Sequence, residues 1–98
     1  MSMIRGTDIP LTLVNLPEGC EIKRLDFSQN DVIVITKTTD DFTIESDTAT
    51  CKLTQEETLK FDEKRIVEIQ LSYYLNGLAK RTHIKTIPAE RILYDGVI

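Results

Sequence analysis

The alternation of apolar and polar residues is clearest between Arg65 and Ile87. In the first half of this segment every second residue is apolar, namely Val67, Ile69, Leu71, Tyr73 and Leu75. A period of two indicates a β-strand with one buried and one wet face. Asn76-Gly77 follows, and this dipeptide favours a two-residue hairpin turn because both turn residues need positive φ. The segment therefore predicts one long β-hairpin.

A two-residue turn at Asn76-Gly77 fixes how the two halves of the hairpin pair. The predicted pairs are Leu75–Leu78, Tyr73–Lys80, Leu71–Thr82, Ile69–Ile84 and Val67–Thr86 on one face, and Ser72–Arg81, Gln70–His83 and Glu68–Lys85 on the other. The Glu68–Lys85 pair joins opposite charges. It supports this register independently, because the register follows from the position of the turn and not from charge. The return strand is the more polar, so we expect it near a sheet edge, where lysine and arginine discourage unwanted pairing.

Three strands are predicted in the first part of the chain, at Ile9–Leu16, Ile22–Ser28 and Val32–Thr39. Pro10 favours an edge position for the first strand or a place among the strand's first residues, because proline cannot donate a hydrogen bond to a ladder. The third strand is apolar on both faces, which is typical of a strand at the centre of a sheet.

The turn between the second and third strands allows two registers. A two-residue loop at Asn30-Asp31 places Asp26 opposite Ile35. A three-residue loop instead places Leu25 opposite Ile35, which separates the apolar and polar faces better. The longer loop is the preferred prediction.

A second hairpin and a helical turn follow. Residues Phe42–Leu53 are predicted to fold around Ser46-Asp47, in a register that places the apolar residues on one face. Cys51 shares that face and is predicted to be a small core residue. Thr54 and Glu57 have the spacing of a capping box, so a short helical turn is predicted over 54–61.

Seven predicted strands, regular turns and one short helical turn indicate an all-β fold, a seven-stranded antiparallel β-sandwich. A closed barrel is the alternative. The 98 residues suffice for one domain, which we predict over residues 1–88. Residues 89–98 form an apolar tail that either packs back on its own sheet or docks on a partner. The apolar residues of this tail are Ile92, Leu93, Val97 and Ile98.

The charge balance excludes some classes of partner. The net charge is −4 and the pI is near 4.9, which argues against nucleic-acid binding, since that needs a basic patch. No apolar run approaches the ~20 residues of a membrane span, so no membrane partner is expected. The N-terminus lacks the apolar core of a signal peptide, so we expect a soluble product that is not exported by that route.

The sequence carries no pattern typical of catalysis or metal binding. Cys20 and Cys51 belong to no CxxC or Cys/His cluster and are predicted to be free thiols, although spacing alone leaves a disulfide open. His83 is the only histidine, and no third orienting group accompanies it. Glu56-Glu57 suits a helix start better than a catalytic cleft. We therefore predict a non-enzymatic protein with no cofactor and no metal.

Three surfaces are candidates for contact with partners. The return strand of the long hairpin carries a basic edge on an otherwise acidic protein, formed by Lys80, Arg81, His83 and Lys85. Tyr74, on the predicted polar face, is the candidate aromatic platform for a sugar. The apolar tail is the third candidate.

Four segments resemble one family of small proteins of similar length. They are IRGTDIPLTL, FSQNDVIVITK, CKLTQEETLKFDEKRIVEIQL and ILYDGVI, and the most distinctive part is LTQEETLKF followed by VEIQL. Together they are similar to products encoded among the virion-structure genes of Firmicutes prophages, near tail and baseplate components. Some members of that neighbourhood carry immunoglobulin-like β-sandwich modules, so the resemblance implies an immunoglobulin-like fold.

The resemblance also implies a function without a catalytic site. It implies a phage structural or accessory protein that packs against other virion subunits or associates with itself. Such a protein would reside in the cytoplasm of the bacterial host during assembly and then in the virion. The alternative is a carbohydrate- or host-surface-binding β-sandwich module, for which Tyr74 would be the aromatic contact.

Overall fold

The chain folds into two β-sheets around a shared core. The computed structural model describes residues 3–63 and 65–90, and this part of the chain is all-β, as the sequence predicts. It contains nine strands rather than the predicted seven, because a short strand precedes the first predicted one and the return strand of the long hairpin is divided in two. The strands are β1 Met3–Ile4, β2 Ile9–Leu13, β3 Cys20–Gln29, β4 Val32–Thr38, β5 Thr43–Glu45, β6 Thr48–Leu53, β7 Ile66–Leu75, β8 Leu78–Arg81 and β9 Lys85–Glu90.

Six strands form the larger sheet, in the order β1-β9-β7-β3-β4, with β8 also paired to β7. The β1–β9 pair is parallel, so this sheet is mixed, whereas the sequence predicts a purely antiparallel sandwich. The smaller sheet is antiparallel, in the order β2-β6-β5. Inward-facing residues of both sheets form one core, whose largest fully buried apolar members are Phe27, Phe61, Met3, Ile22, Leu53 and Val67.

The long hairpin has its predicted turn but only part of its predicted register. Asn76 and Gly77 have φ angles of 51° and 83°, and the pairs near the turn, from Leu75–Leu78 to Ser72–Arg81, are as predicted. Further from the turn the return strand slips by one residue. The observed pairs there are Ile69–Lys85, Glu68–Thr86, Val67–Ile87 and Ile66–Pro88. The predicted pairs that this slip makes wrong are Gln70–His83, Ile69–Ile84, Glu68–Lys85 and Val67–Thr86.

One extra residue between β8 and β9 causes the slip, and Thr82 supplies hydrogen bonds at that point. The Thr82 hydroxyl accepts a hydrogen bond from the Leu71 N–H at 3.1 Å. The Thr82 N–H donates to the Leu71 carbonyl at 3.0 Å. Because side chains alternate along a strand, a slip of one residue exchanges the two faces. As a result Ile87 packs against the core, whereas Ile84 is 54% exposed.

The β3–β4 hairpin has the shorter of the two loops considered. Asn30 and Asp31 are its two turn residues, with φ angles of 52° and 63°. A bulge at Val34 then places Phe27 opposite Ile35. The preferred three-residue loop is therefore wrong, because a bulge within the strand, rather than a longer loop, aligns the apolar faces.

β4 lies at an edge of the larger sheet, not at its centre as predicted. Among the described strands it pairs with β3 alone. Its first residues, Val32 and Ile33, are 62% and 55% exposed. A β-branched run that is apolar on both faces is typical of a strand covered on both sides, but β4 has a neighbour along one edge only.

The predicted helical turn is present as α1, Gln55–Thr58, within the predicted range of 54–61. The Thr54 hydroxyl accepts a hydrogen bond from the Glu57 N–H at 3.2 Å, and the Glu57 carboxylate accepts one from the Thr54 N–H at 2.9 Å. These reciprocal bonds complete the predicted capping box.

Glu57 also neutralises the one charged side chain of β4. The Lys37 ammonium donates to both carboxylate oxygens of Glu57, at 2.8 and 2.9 Å. Lys37 pairs with Leu25 across the ladder and is buried, so it faces the interior. Burial alone would raise the pKa of Glu57, but hydrogen bonds from Lys37 and Thr54 outweigh it and hold that pKa below its ordinary value.

The hairpin formed by β5 and β6 has the predicted register. Its pairs are Glu45–Thr48, Ile44–Ala49 and Thr43–Thr50. Cys51 packs against the core, as expected from its place on the apolar face. A 3-10 turn at Thr39–Asp41 connects β4 to this hairpin.

The predicted tail over residues 89–98 begins inside a strand. β9 runs to Glu90, and Ala89 is buried in the core. Residues 91–98 lie outside the described residues, and these include the four apolar candidates Ile92, Leu93, Val97 and Ile98.

Candidate functional site

The edges of the two sheets differ in how well they are protected against pairing with another strand. Among the described strands, β1 has two residues and β5 has three. β2 contains Pro10, and it lies at an edge of its sheet as predicted. β8 carries Lys80 and Arg81. Short length, proline and lysine are the means by which natural proteins blunt sheet edges.

The edge of β4 has seven residues and no charged side chain on its exposed surface. Six of the seven are valine, isoleucine or threonine, and the seventh, Lys37, is turned inward to Glu57. Ile33 also lines a shallow depression on the outer face together with Ile84. Exposed β-branched residues on an edge strand are an available template for another strand. We therefore regard the outer edge of β4 as the first candidate site.

Arg24 and Asp26, on the strand next to β4, are paired with each other. The Arg24 guanidinium donates to the Asp26 carboxylate at 2.8–3.0 Å, and the Thr36 hydroxyl donates to Asp26 at 2.7 Å. Burial alone would raise the pKa of Asp26, but bonds from Arg24 and Thr36, with Arg81 nearby, hold it below its ordinary value. Asp26 therefore adds no uncompensated charge to the surface beside β4.

Acid is expected to weaken the fold through Glu57 and Asp26, whose folded-state pKa values are both lowered. A carboxyl group of this kind stabilises the folded state above its unfolded pKa of about 4 and loses that contribution as pH falls through the folded value. The urea midpoint should therefore fall progressively below about pH 5. Glu57→Gln should reduce this acid sensitivity, and equal sensitivity of variant and wild type would contradict the assignment.

The predicted basic edge is divided between two faces of the larger sheet. Lys80 pairs with Tyr73 and Lys85 with Ile69, so both lysines lie on the inner side. Arg81 pairs with Ser72 on the outer side. The remaining member, His83, is exposed in the connection between β8 and β9. The four residues therefore do not form one continuous patch, although Lys80 and Arg81 do lie on an edge strand.

Tyr74, the candidate sugar platform, is 39% exposed on the outer face. The Lys23 ammonium lies 5.5 Å from the centre of the Tyr74 ring, in cation–π geometry. The same ammonium bonds to Glu21 at 2.8 Å. Lys23 thus occupies one face of the Tyr74 ring, and that face is closed to a stacked sugar.

An apolar cleft of about 350 Å³ lies between the two sheets. It exists because the three-stranded sheet covers only part of the six-stranded one, which leaves the inner face of β7 partly uncovered beside β2. Its apolar walls are formed by Leu13, Leu16, Leu25, Ile69, Leu71 and Tyr73. The cleft was not predicted from the sequence, since it depends on how far one sheet extends past the other.

The polar groups of the cleft are few and carry no negative charge. They are contributed by Thr12, Thr82, Cys20 and Lys85, and none of the lining residues is acidic. No described carboxylate lies within salt-bridge distance of Lys85. The cleft therefore combines apolar walls with one cation.

The two cysteines are unpaired, half-buried thiols. Burial raises the pKa of both Cys20 and Cys51, which makes them less reactive at neutral pH. Within residues 3–63 and 65–90, no group of three or more histidine, cysteine or acidic side chains is placed to hold a metal ion. The helices in the same ranges include none long and apolar enough to cross a membrane.

In the part of the chain that the structure describes, the fold and these surfaces define an all-β protein of two sheets, with an uncharged strand edge at β4 and an apolar cleft between the sheets. Comparisons with protein-family models, with curated proteins and with solved structures gave no match. The function of the chain therefore has to be inferred from its own surfaces.

Proposed function

We propose that the protein is a non-enzymatic structural or accessory subunit of a phage particle, which packs against neighbouring subunits by strand pairing at the outer edge of β4. The observation that carries the proposal is the uncharged, β-branched edge of β4, where Val32 and Ile33 are more than half exposed. Strand addition at such an edge supplies main-chain hydrogen bonds for affinity and side-chain contacts for specificity. The resemblance to prophage virion-region products supports the phage setting.

A second copy of the chain is the partner that we assign to this edge. Two identical strands can pair antiparallel about a two-fold axis, which closes the interface. Self-pairing of β4 brings no like charges together, because Lys37 faces inward and is bound to Glu57. Self-pairing of β8 would place Lys80 and Arg81 near their own copies, which is destabilising. The bulge at Val34 shortens the regular ladder and so disfavours open-ended pairing.

Ile33→Lys is expected to weaken self-association of the protein about tenfold, because it replaces the apolar contact of Ile33 and places two introduced ammonium groups on neighbouring strands of the pair. Sedimentation equilibrium over a range of protein concentrations measures this effect. Ile44→Lys is the matched control, since Ile44 is 50% exposed on β5 and Ile33 is 55% exposed on β4. The control should associate as the wild type does, and both variants should keep the wild-type urea midpoint at protein concentrations low enough for the wild type to be monomeric.

Two results would count against the proposal. A wild-type protein that stays monomeric up to about millimolar concentration would show that β4 does not pair with its own copy at a useful affinity. An Ile33→Lys variant that associates as tightly as the wild type would place the interface on another surface.

A further inference from the structure

We propose that the cleft between the two sheets binds an amphipathic monoanion with an unbranched apolar chain, of the class of medium-chain alkyl carboxylates. The cleft volume of about 350 Å³ lies in the range of small-molecule sites, which is about 300–1,000 Å³. The lining residues include none from β4. The inference therefore does not depend on the proposed strand pairing, and either can fail alone.

The walls of the cleft select an apolar chain. Ile69, Leu71 and Tyr73 alternate along β7 and project from the same face, so they form a continuous apolar floor. Leu13 and Leu16 face this floor from the smaller sheet and the segment that follows it. An unbranched chain lying along β7 would bury methylene groups against both walls.

The charge of the cleft selects an anionic head group. Lys85 pairs with Ile69 and so lies at one end of the apolar floor. Thr82 also lines the cleft, and its hydroxyl, which accepts a hydrogen bond from the Leu71 N–H, can still donate one to an anion. Acidic residues are absent from the lining of this cleft, although the chain carries a net charge of −4. The cleft is thus complementary to one negative charge.

The strand beside the cleft disfavours an inserted peptide as the occupant. A peptide strand in this position would extend the smaller sheet from β2, and it would need the N–H groups of that strand. Pro10, the second residue of β2 and outside the cleft lining, has no N–H to offer, which shortens the part of this edge that could pair with a peptide. A ligand that needs no ladder of hydrogen bonds is the better match.

Calorimetric titration of the wild-type protein with sodium hexanoate, octanoate and decanoate tests the apolar part of the proposal. The affinity should rise about fourfold with each added methylene group until the cleft is filled. At equal chain length, octan-1-ol should bind more weakly than octanoate, and octyltrimethylammonium more weakly still. An affinity independent of chain length, or no detectable binding of decanoate, would overturn the proposal.

Two lysine variants test the role of charge. Lys85→Gln should weaken octanoate binding about threefold to fivefold, as expected for an ion pair near the surface, and should leave octan-1-ol binding unchanged. Lys52→Gln removes the same charge from an exposed position on β6 and should change neither. Equal affinities of the wild type and Lys85→Gln for octanoate would show that Lys85 does not contact the carboxylate head group.

The two free cysteines report where the ligand binds. Cys20 lines the cleft, whereas Cys51 does not. Alkylation by iodoacetamide at mildly alkaline pH can be followed by mass spectrometry, because trypsin places the two thiols in separate peptides, residues 6–23 and 38–52. Saturating decanoate should slow the modification of Cys20 severalfold and leave the rate at Cys51 unchanged. Equal protection of both thiols, or of neither, would overturn the assignment to this cleft.

Discussion

Replacing Phe27 by alanine is expected to lower the free energy of unfolding by about 4 kcal/mol, the typical cost of removing a fully buried aromatic ring. Phe27 lies on the inner face of β3 with no solvent exposure. Its neighbours across the ladders are Ile35 and Ile69, and its ring meets that of Phe61 edge to face at 6.4 Å between centroids. The substitution therefore leaves a cavity where both sheets and the segment after α1 converge.

Urea denaturation followed by circular dichroism measures the effect of Phe27→Ala. Phe27→Leu removes less volume and should lose clearly less stability, which keeps the comparison usable if the alanine variant does not fold. Val32→Ala is the control, because Val32 is 62% exposed and should change stability by less than about 0.5 kcal/mol. Similar losses for Phe27→Leu and Val32→Ala would contradict the position of Phe27 in the core.

Glu57→Ala is expected to cost roughly 3 kcal/mol, which makes it the second largest single effect. The substitution removes the partner of Lys37, whose side chain is only 11% exposed, and it also breaks the capping box of α1. This loss of stability lies at the low end of the range for removing one partner of a buried ion pair, because the Glu57 side chain is still 23% exposed. Most of the cost comes from leaving an ammonium group buried without a carboxylate.

A double substitution separates the unpaired charge from the lost cap. Lys37→Met with Glu57→Gln removes both charges and keeps a side chain able to complete the capping box. This double variant should recover most of the stability lost in Glu57→Ala, when both are compared by urea denaturation at neutral pH. No recovery would contradict the buried ion pair as the origin of the loss.

Local sequence patterns predict those parts of the fold that depend on neighbouring residues. The turn at Asn76-Gly77, the capping box at Thr54 and Glu57 and the hairpin around Ser46-Asp47 all occur as predicted. Each depends on turn chemistry or on an alternation that a short segment carries by itself. These features therefore follow from the sequence.

Bulges are the reason that the registers were only partly predicted. One extra residue after Thr82 and another at Val34 each shift a ladder by one position. A prediction from alternation assumes that every second residue of a strand faces the same side without interruption. It therefore cannot locate an extra residue that is accommodated through pairing with a neighbouring strand. The inward position of Ile87 and the outward position of Ile84 follow from the first of these bulges.

The position of β4 and the cleft depend on contacts between distant parts of the chain. The apolar run from Val32 to Ile35 predicts a central strand. The same apolar pattern occurs here in a strand at a sheet edge, so the pattern alone does not distinguish the two positions. The cleft arises from the different widths of the two sheets, which no single segment encodes. Both candidate sites therefore required the tertiary structure, and only the individual strands that form them were predicted.

Amide hydrogen exchange of β4, measured at low and high protein concentration, tests the proposed strand pairing most directly. If a second copy pairs with this edge, outward-facing N–H groups of β4 should become more protected as the concentration rises, whereas those of β5 and β8 should not change. The Ile33→Lys variant should reach the same protection only at about tenfold higher protein concentration. Self-association of the wild type without any gain of protection in β4 would contradict the proposal.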